Sequence, residues 1–146
     1  MKIEVKIDEN SEEIKAILVV PEMSEEVYEL IQKLSCDFPN FLMGFKNGRA
    51  EILNYDEIFN IYSANSKIYA VTAKGEFALK CRLYELEERL DKYKFVRISN
   101  SEIINLKLTD GFDLSFGGTV RVNLKNGRST YISRRYISKV KDILGF

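Results

Sequence analysis

The sequence predicts a mainly β protein of the α+β class, in which antiparallel strands dominate and the helices are short. From Phe41 onward, about eight short apolar runs follow one another, with turn-forming residues about every 8–12 positions. Two of the turns, at residues 47–48 and 126–127, are Asn-Gly, which between apolar runs strongly favours a β-hairpin. Strands do not alternate with long helical patterns, so a parallel βαβ arrangement is not expected.

The first 44 residues predict a small acidic β-β-α segment. Residues 2–7 alternate polar and apolar side chains, which is typical of a half-buried strand, and residues 13–20 predict a second strand. Ser24 is placed to cap a helix whose apolar spacing continues to about Cys36. The segment is too small to hold much of a core, so we expect it to pack on the remainder or on another subunit.

Residues 45–146 form the second predicted domain, which carries most of the strands. A short amphipathic helix is predicted over residues 83–90, and a closing helix from about Arg134 to Leu144 has Ile137, Val140 and Leu144 facing inward. The strands are predicted at residues 41–45, 50–53, 58–63, 67–72, 76–80, 107–114, 119–125 and 128–132.

The charges are distributed unevenly along a chain whose formal net charge is zero. Residues 1–44 hold four basic and ten acidic residues, and residues 45–146 hold eighteen basic and twelve acidic residues. Within the second part, the stretch from Leu114 to Lys141 contains seven basic residues and no acid. This asymmetry favours a surface for nucleic acid or another polyanion, although a solvated basic face is the plainer alternative.

Catalysis and metal binding are not expected. The chain contains no histidine, so the commonest general base is missing, and no nucleophile–base pair can be proposed. Cys36 and Cys81 lack metal-ligand spacing and are interpreted as small buried apolar residues, so we predict no metal and no cofactor. The longest apolar run is too short to span a bilayer and no secretory signal pattern is present, so a cytoplasmic location without membrane insertion is expected.

Three polar or basic segments could bind a polyanion. One interrupts a strand-like run between residues 95 and 104, and a second lies in a tight turn; each is also compatible with an ordinary cap or turn. In the third, two arginines follow a serine helix cap, where the helix dipole already favours anions such as phosphate. The predicted DNA-binding residues are Asn65, Ser66 and Lys67 in the turn; Arg97, Ser99, Asn100 and Ser101 in the interrupted run; and Ser133, Arg134, Arg135 and Lys139 at the closing helix.

The ordered series of blocks over about residues 46–146 resembles the LytTR-type DNA-binding domain of bacterial transcription regulators. The blocks that carry the resemblance are residues 58–62, 83–90, 95–106, 122–127 and 133–136. The resemblance implies an elongated antiparallel β-sheet domain whose loops, rather than a helix-turn-helix, enter the major grooves of double-stranded DNA.

The resemblance also implies roles for individual residues. Ser66 or Lys67, together with Arg135, would contact bases, with Asn100 beside them and Arg134 and Ser133 near phosphate. Family members often have histidine and a basic residue where this chain has Ser99 and Asn100, so its base preference is expected to differ.

The expected function is therefore that of a stand-alone transcription factor. The first 44 residues are too few for a receiver domain, and the resemblance to stand-alone members implies that a separate membrane-bound partner takes part in regulation. Binding as a homodimer or at tandem sites is expected, because one small module rarely reads enough bases. Two alternatives stay open at this point: a protein-interaction module that acts through the acidic first segment, and an RNA-binding protein.

Overall fold

The structure is a computed structural model of the chain and describes residues 1–35, 41–115 and 117–146. The chain divides into two compact units, Met1–Phe38 and Pro39–Phe146. The boundary predicted between residues 44 and 45 falls within the first strand of the second unit. The division of roles between the two segments stays a prediction.

In the described residues of the first unit, the helix α1 (Glu25–Ser35) begins where the sequence predicts. The Ser24 hydroxyl accepts a hydrogen bond from the Val27 backbone N–H at 3.3 Å, which satisfies one of the free donors at the helix start. The acidic first turn is favoured by the helix dipole. The predicted helix end near Cys36 lies outside the described residues.

The structure corrects the prediction of two strands before α1. Within the described residues, positions 2–7 and 13–20 have no strand pairing, and the apolar side chains Ile3, Val5 and Ile7 are 77%, 85% and 87% exposed. Alternation fixes which side chains share a face, but a strand also needs a partner for its N–H and C=O groups. An isolated two-stranded hairpin is marginal in water. In the part of the chain that the structure describes, this apolar face therefore has no sheet to complete it.

The second unit confirms the predicted mainly β, antiparallel fold. Its strands are β1 (Phe41–Lys46), β2 (Arg49–Asn54), β3 (Asn60–Ala64), β4 (Lys67–Thr72), β5 (Gly75–Leu79), β6 (Phe95–Ser99), β7 (Glu102–Asn105), β8 (Thr109–Asp113), β9 (Val120–Leu124) and β10 (Ser129–Ile132). Its helices are α2 (Leu83–Arg89) and α3 (Arg134–Leu144). One sheet has the order β2-β1-β5-β4-β3-β7-β6 and the other has the order β10-β9-β8.

Both predicted Asn-Gly hairpins are present. Lys46 pairs with Arg49, and the two residues between them, Asn47 and Gly48, have φ values of 50° and 76°. Positive φ at both loop positions is the type I′ geometry, whose twist matches that of the flanking strands. The second hairpin joins β9 to β10, with Gly127 at a φ of 85°.

Two apolar clusters lie on opposite faces of the seven-stranded sheet. The first includes Ile103 and the buried side of α2, and the second includes the adjacent Ile104 together with β9, β10 and α3. Successive side chains of a strand point to opposite faces, so β7 contributes to both clusters. The inward positions predicted in α3 are confirmed, because Val140 is fully buried and its partly buried neighbours Ile137 and Leu144 pack in the second cluster.

A carboxylate joins the two sheets close to the loops considered below. Glu102 on β7 accepts hydrogen bonds from the Asn60 amide at 2.9 Å and from the Thr130 hydroxyl on β10 at 2.6 Å. Hydrogen bonds to an ionised acceptor are among the stronger ones in proteins. Glu102 therefore fixes β10, which leads into α3, relative to β3 and β7.

No helix in the described ranges combines the length and apolar character needed to cross a membrane. Cys81 is unpaired and half-buried, and burial raises the pKa of its thiol. Cys36 lies outside the described residues.

Candidate nucleic-acid interface

The first predicted contact segment is a two-residue hairpin loop. Ala64 pairs with Lys67, so Asn65 and Ser66 alone connect β3 to β4. Both have positive φ, 52° and 63°, in a type I′ turn formed without glycine. Such a conformation is strained for a serine, and strained residues tend to occur at functional sites. The exposed Asn65, Ser66 and Lys67 side chains are thus presented on a fixed backbone.

The second segment is also a two-residue loop. Ser99 pairs with Glu102, so Asn100 and Ser101 connect β6 to β7. The pairing register shifts between Arg97 and Ser99, which makes a β-bulge. The sequence cluster that interrupts a strand-like run is therefore a hairpin turn, with exposed Asn100 and Ser101 side chains.

The third segment is the start of α3. Ser133 occupies the predicted cap position, but its hydroxyl makes no capping hydrogen bond and is buried with no hydrogen-bond partner among the described residues. The first turn of α3 contains Arg134 and Arg135 and no acid. Both arginines are exposed, and neither forms an ion pair within the described part of the chain. Their guanidinium groups are therefore available to an anion.

Main-chain hydrogen bonds link the three segments. The Ser63 N–H donates to the Ser101 carbonyl at 2.8 Å, which joins the first loop to the second. The Ser133 N–H donates to the Ile98 carbonyl, in the bulge, at 2.9 Å, which joins the second loop to α3. The two loops and the start of α3, all predicted from the sequence, are thus neighbours in the fold.

A side-chain contact adds to the link between the second loop and α3. The Tyr136 hydroxyl donates to Asn100 Oδ1 at 3.0 Å. With one lone pair of its oxygen occupied, the Asn100 amide keeps its NH₂ group as an outward donor. A free donor of this kind suits a phosphate oxygen or a base acceptor.

Arg97 differs from the other predicted contact residues, because its guanidinium is held inside the protein. Its Nε donates to the Ser99 carbonyl at 3.1 Å, and one of its terminal nitrogens donates to the Asn100 carbonyl at 2.8 Å. The other terminal nitrogen forms an ion pair with Glu87 at 2.9 Å. The Arg97 side chain is 16% exposed, so this cation stabilises the second loop from within.

Glu87, on α2, also accepts a hydrogen bond from Lys139 of α3 at 3.1 Å. Burial opposes ionisation of Glu87, but the bonds and charges of Arg97 and Lys139 outweigh it and hold the pKa of Glu87 below its usual range. The Lys139 side chain is 56% exposed. Exposed ion pairs are worth about 0–1 kcal/mol, so Lys139 can exchange this partner for an incoming anion.

Glu87 and Tyr136 are the site residues that sequence reasoning missed. In the sequence, Glu87 is one of several acids on the outer side of a short helix, and nothing local distinguishes it from Glu88. Tyr136 stands beside the two arginines, but its contact with Asn100 spans 36 residues and has no local signal. Both contacts depend on the tertiary fold.

The family model of the LytTr DNA-binding domain matches residues 48–145 of this chain, which therefore belongs to that family. Similar proteins include uncharacterized HTH-type transcriptional regulators of Staphylococcus aureus. In strain NCTC 8325 the regulator is 33% identical over 145 residues, covering 99% of this chain and 98% of the relative. In strain MRSA252 the regulator is 32% identical with the same coverage.

A solved LytTr DNA-binding domain of a Bacillus cereus protein has the same fold. It matches with a TM-score of 0.71 and 20% identity, and the match covers 73% of this chain and 98% of that domain. In the described part of this chain, strands separate α1, α2 and α3 from one another, so none of these helices forms a helix-turn-helix pair.

Proposed function

We propose that this chain is a transcriptional regulator that binds double-stranded DNA sequence-specifically through the three linked segments. The observation that carries the proposal is the assembly of two exposed hairpin loops and an acid-free helix start by main-chain hydrogen bonds. Loops with a fixed backbone can place donors against base edges and phosphates in adjacent parts of a major groove. Membership of a family of DNA-binding domains supports the same function.

The proposed roles of the individual contact residues are those that the family resemblance implies, taken together with their exposure and charge. Arg135 contacts a base, as does Ser66 or Lys67, and Asn100 donates beside them. Phosphate contacts come from the polar side chains around these residues, namely Arg134, Lys139, Asn65, Ser99 and Ser101. Ser133 lies near phosphate but contributes through its backbone, which joins α3 to the second loop, because its hydroxyl is buried. Arg97 acts indirectly, because its donors are already used by the loop carbonyls and by Glu87.

Selection from a pool of random duplexes tests the proposal. We expect one short motif to be enriched, and we expect its affinity to fall steeply with salt, since phosphate contacts release counterions. Duplex DNA carrying the motif should displace the selected probe, whereas single-stranded RNA of the same sequence should not. Failure to enrich any motif, or displacement by RNA alone, would contradict sequence-specific binding to double-stranded DNA.

We also propose that the first unit makes the regulator a homodimer. The exposed alternating apolar side chains of residues 2–7 support this, since a large apolar surface that lacks a cover commonly marks an interaction site. The relatives align over 99% of this chain, so the segment is shared with them. A dimer would double the number of bases contacted beyond what one small module reads.

Removal of residues 1–38 should leave a monomer whose affinity for one half-site is unchanged. In the full chain, Val5→Lys should weaken dimerisation at least about tenfold, because burying a valine is worth about 1.5 kcal/mol. Glu4→Lys, on the polar face of the same stretch, changes more charge and should have little effect. Sedimentation equilibrium measures the dimer dissociation constant of both variants. An equal weakening of dimerisation in the two would argue against an apolar dimer face. A chain that stays monomeric at all concentrations would leave this face to another partner, such as a membrane-bound regulator.

A further inference from the structure

Glu87 connects elements that lie on either side of the edge strand β6. It is on α2, one of its carboxylate oxygens accepts from Arg97 of β6, and the other accepts from Lys139 of α3. We propose that Glu87 is a positioning residue of the DNA-binding interface, which sets the conformation of the Asn100–Ser101 loop through Arg97. This inference rests on the proposed function, and it concerns a residue with no proposed DNA contact.

The route from Glu87 to the loop consists of three hydrogen bonds made by one guanidinium. Arg97 has a planar fork of donors, so fixing one nitrogen fixes the directions of the others. With one terminal nitrogen bound to Glu87, the remaining donors reach the carbonyls of Ser99 and Asn100 at 3.1 Å and 2.8 Å. Both carbonyls are thereby held against the guanidinium of Arg97.

The loop is consequently held from two directions. Arg97 binds the backbone of Asn100, and Tyr136 binds its side-chain oxygen at 3.0 Å. The Ser101 N–H donates to the Ser99 hydroxyl at 3.2 Å, and its carbonyl accepts from Ser63. Without Glu87, the guanidinium would lose its charged partner and could turn away from the two loop carbonyls.

Charge alone predicts the opposite effect of removing Glu87. An acid beside a polyanion site repels DNA, and its neutralisation also releases Lys139 for phosphate. If Glu87 acted only through its charge, the Glu87→Gln variant would bind all DNA more tightly. If Glu87 positions the loop, the variant should instead lose affinity for selected DNA relative to random DNA. The ratio of the two affinities separates these possibilities.

We expect Glu87→Gln to lower the ratio of specific to random affinity about tenfold, which is the size of a lost charge-assisted hydrogen bond. Glu88→Gln is the matched control, because it removes the same charge from the next position of α2. The side chain of Glu88 is exposed and makes no hydrogen bond or ion pair within the described part of the chain. In the control variant the ratio should be unchanged.

A double substitution tests the route. If Glu87 acts through Asn100, adding Glu87→Gln to Asn100→Ala should lower the ratio by much less than it does alone. Full additivity would mean that Glu87 acts elsewhere. An unchanged ratio in Glu87→Gln, or an equal fall in Glu88→Gln, would overturn the positioning role.

A measurement without DNA keeps this inference separate from the proposed function. Hydrogen exchange at the Ser101 amide should become about tenfold faster in Glu87→Gln and stay the same in Glu88→Gln, both measured under conditions where each variant is fully folded. Unchanged exchange would overturn the inference whether or not the protein binds DNA. Faster exchange in a protein that selects no DNA sequence would instead contradict only the proposed function.

Discussion

Arg135→Ala is expected to lower affinity for the selected DNA by about 1–3 kcal/mol, roughly 5- to 150-fold, and to relax the base preference at one position. Arg135 is exposed in the first turn of α3 and forms no ion pair with another described residue. Its guanidinium can therefore donate two parallel hydrogen bonds to a guanine without breaking a contact of the protein. Titration of matched duplexes that differ at one base pair measures the effect.

Two other arginines serve as controls for this variant. Arg134→Ala should weaken binding to selected and random DNA alike and reduce the salt dependence of binding, since a phosphate contact carries no base information. Arg49→Ala should leave both the affinity and its salt dependence unchanged, because Arg49 lies in β2, at the opposite edge of the sheet from β6. Equal losses on selected and random DNA for Arg135→Ala would exclude a base contact by this residue.

Asn105→Ala is expected to cost about 2–4 kcal/mol of unfolding free energy, the largest stability loss that we predict. The Asn105 side chain is 2% exposed. Its NH₂ group donates to the Ile58 carbonyl at 2.8 Å and to the Tyr55 carbonyl at 3.3 Å, and its oxygen accepts from Lys107 N–H at 3.0 Å. The substitution leaves the buried Ile58 carbonyl without this donor, whereas the Tyr55 carbonyl still accepts from the Ile58 N–H. Water cannot replace the lost donor without opening the core.

Asn54→Ala is the matched control for this stability effect. Asn54 is exposed, and its amide donates to the Glu57 carboxylate at 3.2 Å in contact with water. Loss of this hydrogen bond should lower the unfolding free energy by less than about 1 kcal/mol, since water replaces the bond. Urea denaturation measures the unfolding free energy of both variants, and the slope of this free energy against urea concentration should be unchanged. A smaller cost for Asn105→Ala than for Asn54→Ala would refute the proposed role of the buried amide.

Most of the second unit was predictable because its signals are local. Asn47-Gly48 fixes a hairpin through backbone conformation, and the helix from Arg134 to Leu144 follows from a serine at the cap position and from apolar spacing. The prediction of strands was wrong at residues 2–7 and 13–20. The alternating pattern there is that of a strand with one face packed on an apolar surface. In the described residues, neither such a surface nor a partner strand lies against this stretch.

The residue types in the candidate site were predictable from the sequence, but the contacts between these residues were less so. Turn chemistry and charge indicate the segments around Ser66, Asn100 and Arg135. The difference between Arg97 and Arg135 is not visible in the sequence. It arises from Glu87, ten residues before Arg97, and from the two loop carbonyls that accept hydrogen bonds from Arg97. Such contacts depend on how strands and helices are placed in space.

The main-chain links between the loops also bear on how recognition can diverge among related proteins. The bonds from Ser63 to Ser101 and from Ser133 to Ile98 join backbone atoms, so they survive a change of side chain. Positions 66, 100 and 135 can therefore be substituted while the spacing of the three segments is retained. New operator preferences would then arise from a few surface substitutions, without a new scaffold and with little loss of stability.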